Sequence, residues 1–84
     1  MLKAGTVVRS LAGRDKDKLS AVIGERENRV LVCDGKERPL ERPKQKNTRH
    51  IKPVGAVLEP GELETNRALR RALRRLNAEI SGNN

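Results

Sequence analysis

The sequence predicts a small, mainly β domain, a barrel or sandwich of about five short strands, followed by one amphipathic α-helix. Three observations carry this expectation. Short apolar, β-branched runs alternate with glycine- and proline-bearing turns from Gly5 to Pro53. Past Pro60-Gly61 the hydrophobic period changes from two to about 3.6. The chain has 84 residues and no Phe, Tyr or Trp, so its core must be built from Val, Leu, Ile and Ala. Such a core is thin. A domain of this size typically has about 3–5 kcal/mol of stability, so a bound partner would add appreciably to its order.

Thr6–Ser10 and Leu19–Glu25 read as strands from their β-branched content and bounding glycines. Between them Leu11-Ala12-Gly13 runs into Arg14-Asp15-Lys16-Asp17-Lys18, charged at five successive positions. A loop of that kind leaves the sheet, exposes backbone and cations at its tip, and returns. Arg26-Glu27-Asn28 suits a tight hairpin turn, with Asn28 the residue best able to take a positive φ. Arg29–Cys33 is the third strand, ended by the turn dipeptide Asp34-Gly35. Pro39-Leu40-Glu41 and His50-Ile51-Lys52 are candidate fourth and fifth strands, and Pro39, Pro43 and Pro53 confine them to edges or ends. Closing such a sheet into a barrel would remove its exposed edges.

From Glu62 to Ile80, Leu69, Ala72, Leu73, Leu76 and Ile80 form one helical stripe. Arg67, Arg70, Arg71, Arg74 and Arg75 project on the opposite face. Glu62 and Glu64 suit the positive end of the helix dipole, and Ser81-Gly82 is a stop signal. The organisation expected is a strand domain over 1–58, a turn at 59–61, a helix over 62–80 and a disordered tail over 81–84.

The net charge is +8 and unevenly spread. Residues 36–52 net +5, whereas residues 62–80 net +2 and the loop 14–18 only +1. A small, very basic domain attracts polyanions, nucleic acid foremost. Anionic membrane competes less well, because no aromatic side chain is present to anchor at an interface. No segment could span a bilayer and the N-terminus has no apolar leader, so the chain reads as cytoplasmic. Cys33 is the sole cysteine and sits within an apolar run, which favours a buried structural thiol over a reactive one.

The catalytic case is weak. There is one histidine, His50, and no nucleophile–base pairing, phosphate-loop motif or metal-ligand cluster is visible in the spacing. His50 sits in a proline-bounded basic tract, where a structural or phosphate-contacting role outweighs an acid–base one. The expectation is a protein that is not an enzyme and needs neither cofactor nor metal nor small-molecule substrate.

The strand–loop–strand unit resembles the KOW motif of ribosomal and transcription-elongation proteins. Gly5, Val7-Val8, Gly13, the charged stretch Arg14 to Lys18, and the returning Ala21-Val22-Ile23 carry the resemblance. It extends through Val30-Leu31-Val32, Asp34-Gly35 and the run Pro43 to Ile51, which look like small bacterial KOW-domain RNA-binding proteins. Those are similar in turn to a large-subunit ribosomal protein of archaea and eukaryotes. The match covers about residues 3–54. It departs from the family pattern at Asp17, where KOW loops usually place a glycine. What the resemblance implies is an SH3-like β-barrel and binding to RNA, ribosomal RNA above all.

The candidate RNA contacts are Gly13, Arg14, Lys16 and Lys18 in the loop, and Arg38, Arg42, Lys44, Lys46, Asn47, Arg49, His50 and Lys52 in the basic tract. Gly13 lets backbone approach a ligand, the cations supply charge-assisted contacts, and Asn47 adds a polar hydrogen bond. Without aromatic side chains, base stacking is unavailable, which favours folded RNA and its sugar-phosphate backbone. A solvated charge run kept for solubility is the plainer alternative, but +5 within residues 36–52 exceeds that need. The helix arginines are a candidate second RNA contact. A different class of function remains open, a protein-interaction module or self-association through Leu69, Leu73, Leu76 and Ile80, as does non-specific DNA binding.

Overall fold

The computed structural model describes residues 2–82. Its elements are β1 (Thr6–Ser10), β2 (Leu19–Arg26), β3 (Arg29–Cys33), β4 (Lys44–Asn47), β5 (Ile51–Val57) and α1 (Asn66–Ser81), with 3-10 turns at Thr48–His50 and Pro60–Leu63. The strands form one antiparallel sheet in the order β4-β3-β2-β1-β5.

Adjacent residues of the central strands are buried on opposite faces, so the sheet is covered on both sides. Val7, Leu19, Ala21 and Cys33 face α1, where they pack with Leu58, Leu69, Ala72 and Leu73. Val8, Val22, Val30, Val32 and Ile51 form a second cluster on the other face. Register shifts between Thr6 and Val8 and between Val22 and Gly24 mark irregularities of the bulge type, which bend strands and increase their twist.

The expected closure does not occur. β4 and β5 are the two edges of the sheet and share no ladder, so the sheet is open. They are nevertheless consecutive in the chain, and a three-residue 3-10 turn carries the backbone across the gap between them. The leaving ladder has little to offer closure: β4 is a four-residue polar strand, and β5 contains Pro53, which has no N–H to donate.

The fourth strand lies at Lys44–Asn47, inside the basic tract, and not at Pro39-Leu40-Glu41. The latter segment is a turn, in which Arg42 N–H donates to Pro39 O at 2.9 Å. The fifth strand begins at Ile51, and His50 belongs to the 3-10 turn before it. In the β2–β3 hairpin Glu27, and not Asn28, takes the left-handed conformation, with φ 59°.

The helix begins at Asn66, later than the pattern of charges at Glu62 and Glu64 suggests. Pro60–Leu63 forms a separate 3-10 turn with a reciprocal Glu59–Glu62 cap, and the Thr65 hydroxyl caps α1 by accepting from Ala68 N–H at 3.0 Å. Leu69, Ala72 and Leu73 are buried, Leu76 is half-buried, and Ile80 is 38% exposed. The apolar stripe therefore packs on the sheet of its own chain. Asn66 pins the helix start: its Oδ1 accepts from Leu40 N–H and its Nδ2 donates to Glu41 Oε1, both at 2.7 Å. Gly35 makes this docking possible, because a Cβ there would collide with the Asn66 carbonyl oxygen and φ is +81°. Of the tail expected to be disordered, Ser81 ends α1 and Gly82 caps it by donating to Ala78 O, while residues 83–84 lie outside the described residues.

Candidate nucleic-acid interface

The β1–β2 loop is held by its own backbone. Asp17 N–H donates to Ser10 O at 2.8 Å, Lys18 N–H to Asp15 O at 2.9 Å and Lys16 N–H to Gly13 O at 3.2 Å. Gly13 has φ +80° and Asp17 φ +71°, so the aspartate itself takes the left-handed conformation at the turn of the loop. Asp is among the few side chains that tolerate this region. Gly13 has open space above its Cα.

Beside this loop a cleft of about 380 Å³ is lined by Ala12, Gly13, Arg29, Lys44, Gln45, Lys46, Asn47 and His50. The lysines reach it because β4 pairs with β3 in a register that sets Val30 opposite Lys46 and Val32 opposite Lys44. Lys46 is anchored: its ammonium donates to the Ser10 hydroxyl and lies 3.7 Å from Asp15 Oδ2. Lys44 Nζ lies 3.6 Å from the same carboxylate oxygen. Asn47 Oδ1 accepts from Arg49 N–H at 2.9 Å and so fixes the 3-10 corner. Its Nδ2 is the group it can turn to a ligand. His50 O accepts from Leu11 N–H at 2.9 Å, which ties that corner to the start of the loop.

Of the residues proposed from sequence, Gly13, Lys44, Lys46, Asn47 and His50 are brought together here. Arg49 stands exposed on the adjoining turn, and Arg14 and Lys16 are exposed on the loop. The others are placed elsewhere. Lys18 faces the helix side and pairs with Glu37 at 3.4 Å. Arg38 is half-buried in a turn closed by Asp34 Oδ1, and its Nε is buried without a partner. Arg42 is exposed on the 39–42 turn, and Lys52 is exposed on β5 opposite Arg9. Arg29 lines the cleft and was missed. Its signal lies only in the register, where it stands opposite Asn47.

A second cleft, of about 400 Å³, lies between the loop and the helix, lined by Asp17, Lys18, Leu19, Asp34, Lys36, Arg70, Leu73, Arg74 and Asn77. Here cations and carboxylates mix. Along α1, Arg67, Arg70, Arg71 and Arg74 are exposed and carry no ion pair among the described residues, whereas Arg75 bonds Glu62 at 2.9 Å and approaches Glu79 at 4.0 Å. The backbone hydrogen bond at Glu59 and the Arg75 guanidinium hold the Glu62 carboxyl below its ordinary pKa.

Cys33 is fully buried, with Sγ donating toward Pro39 O at 3.5 Å. Burial, with smaller contributions from Asp34 and Glu41, pushes its thiol up to about 11, where it is neutral and unreactive at neutral pH. Among the described residues no group of His, Cys, Asp and Glu is placed to hold a metal ion, and no helix is long and apolar enough to cross a membrane.

No protein-family model matches the chain, and no match is found among curated proteins.

Proposed function

We propose that this protein is a non-enzymatic RNA-binding domain of KOW type, with an SH3-like but open five-stranded sheet as its frame, that grips structured RNA through phosphate and shape contacts. Ribosomal RNA is the target that the sequence resemblance suggests. One observation carries the reading: the loop and the basic tract, far apart in the chain, meet in one cleft with Gly13, Arg29, Lys44, Lys46, Asn47 and His50 on its walls. Such a set offers charge-assisted donors and a close backbone approach but no stacking platform, as a phosphate-and-shape reader requires. The five-stranded antiparallel order, with its two edge strands joined by the 3-10 corner, supports the SH3-like frame.

The competing reading, a partner bound through the leucine stripe, loses its main residues. Leu69 and Leu73 are 0% and 6% exposed and belong to the core. Replacing them with Asp therefore disrupts the fold before it reports on any partner.

Salt titration of binding to a structured RNA is the test. Counterion release from six to ten phosphate contacts would lower affinity roughly 10³–10⁵-fold between 50 and 200 mM salt. A nearly flat titration would exclude the phosphate reader. Duplex DNA of equal length, competed at one fixed salt, separates RNA selectivity from general polyanion binding. Co-sedimentation with ribosomes at low and high salt then tests the ribosomal target.

A further inference from the structure

Asp15 is the acidic side chain set against the cations of the basic cleft. Its Oδ2 lies 3.6 Å from Lys44 Nζ and 3.7 Å from Lys46 Nζ, and Lys46 also donates to the Ser10 hydroxyl. Two ammonium groups converging on one anionic oxygen, one of them held in place by a hydroxyl, offer the charge-assisted donors that a phosphate oxygen seeks. The side chains of Asp15 and Lys46 are only 19% and 12% exposed, so this pairing is less screened than a surface ion pair. The loop backbone, bonded to itself and to Ser10, presents the carboxylate there.

We propose that Asp15 occupies, in the free protein, the seat of a phosphate, and that ligand binding exchanges its carboxylate for a phosphate of the RNA. The inference rests on the RNA-binding reading and adds a selectivity device to it. An anion tethered in the seat must be displaced, so a ligand with one or a few phosphates competes poorly. A folded RNA, which brings several phosphates to the cleft at once, overcomes it. The same carboxylate keeps Lys44 and Lys46 poised in the cleft while it is unliganded.

Asp17 provides an internal control. It carries the same charge in the same loop, has no cation partner among the described residues, and takes a left-handed conformation that Asn also tolerates. The experiment measures binding of one RNA hairpin by wild type, D15N and D17N, with and without K44A/K46A, after thermal melts show each variant folded. D15N is expected to tighten binding about two- to tenfold, as loss of two partly exposed ion pairs implies. D17N should change it less than about twofold at 150 mM salt, where a distant charge is screened. The D15N gain should vanish in the K44A/K46A background.

Equal effects of D15N and D17N would overturn the exchange, because only net charge would be acting. Weaker binding by D15N would overturn it too, making Asp15 a scaffold for the lysines. Titration with inorganic tripolyphosphate, followed by NMR of the Lys44 and Lys46 side chains, reads the seat without RNA. If D15N tightens tripolyphosphate while wild type shows no preference for structured RNA over duplex DNA, the seat stands and the RNA reading fails. If RNA binding needs Lys44 and Lys46 but D15N matches D17N for both ligands, the RNA reading stands and the exchange fails.

Discussion

The cleft beside the β1–β2 loop and the outer face of α1 are both basic, yet they hold their cations in different ways. In the cleft, Lys44 and Lys46 project from a strand and share Asp15, and Lys46 is fixed further by Ser10. On the helix, Arg67, Arg70, Arg71 and Arg74 stand in solvent with no ion pair among the described residues. Ordered cations lose less side-chain entropy when a phosphate arrives, and exposed ones are screened by salt. If the protein binds RNA as proposed, charge marks where the polyanion is attracted, and the packing of the charges marks where it is gripped. The two regions also differ in what lies beneath them: α1 covers a core cluster, whereas β4 is a four-residue edge strand.

The largest effect separates the two sides of α1. Leu69→Ala should lower stability by about 2–5 kcal/mol, comparable with the total expected for so small a domain, and urea titration by circular dichroism should find it largely unfolded. Replacing Arg67, Arg70, Arg71 and Arg74 together with Ala should change stability by no more than about 1 kcal/mol. If Leu69→Ala were harmless, the helix would not be the cover that the fold makes it.

Affinity should divide the regions the other way. K44A/K46A should weaken binding to structured RNA roughly ten- to a hundredfold and lower the salt slope by about two. The four-arginine helix variant should lose less than about tenfold at 150 mM salt, and more at 50 mM. A larger loss from the helix variant would make α1 the reader and the cleft secondary.

Cys33 sharpens the structural side of the comparison, since it lies in the core cluster beneath α1. Its pKa in the folded protein, about 11, exceeds the ordinary 9.0. The stability gained by keeping the thiol neutral is therefore fully present below about pH 9 and lost as pH rises toward about 11, an effect of roughly 1–3 kcal/mol. Wild type should lose more stability over that window than Cys33→Ala, and maleimide labelling at pH 8 should occur only on unfolding.

The smallest effect concerns the one anchored helix arginine. Glu62 titrates below its ordinary 4.5, so its contribution is present above that pH and is lost as pH falls through the lowered value. Glu62→Gln should slightly flatten the acid limb of the stability profile. An unchanged acid limb would mean that the Arg75–Glu62 bond leaves the helix as unanchored as its other arginines do.

Much of the fold was legible because the core positions follow simple periods. Thr6–Ser10 and Arg29–Cys33 are bounded as their β-branched residues and turn signals suggest, and the leucine stripe marked the buried side of α1. β4 was not legible, since Lys-Gln-Lys-Asn has no strand-forming pattern and becomes a strand by pairing with β3. Pro39-Leu40-Glu41 misled because its role is set by the helix end that binds Leu40 and Glu41. At the cleft, the lysines, Asn47 and His50 could be read from the basic tract, whereas Arg29 and the carboxylate of Asp15 could not.

Composition and local pattern by themselves determined a small aromatic-free β domain with an amphipathic helix, its basic character, and the segments carrying the charge. These depend on residue type and on neighbours a few positions away. Tertiary structure alone decided that the sheet stays open, that the helix packs its stripe inward, and which cations share a cleft. Those outcomes depend on strand register and on contacts between distant segments, such as Asp15 with Lys44 and Lys46 or Gly35 beneath Asn66, and no local period encodes them.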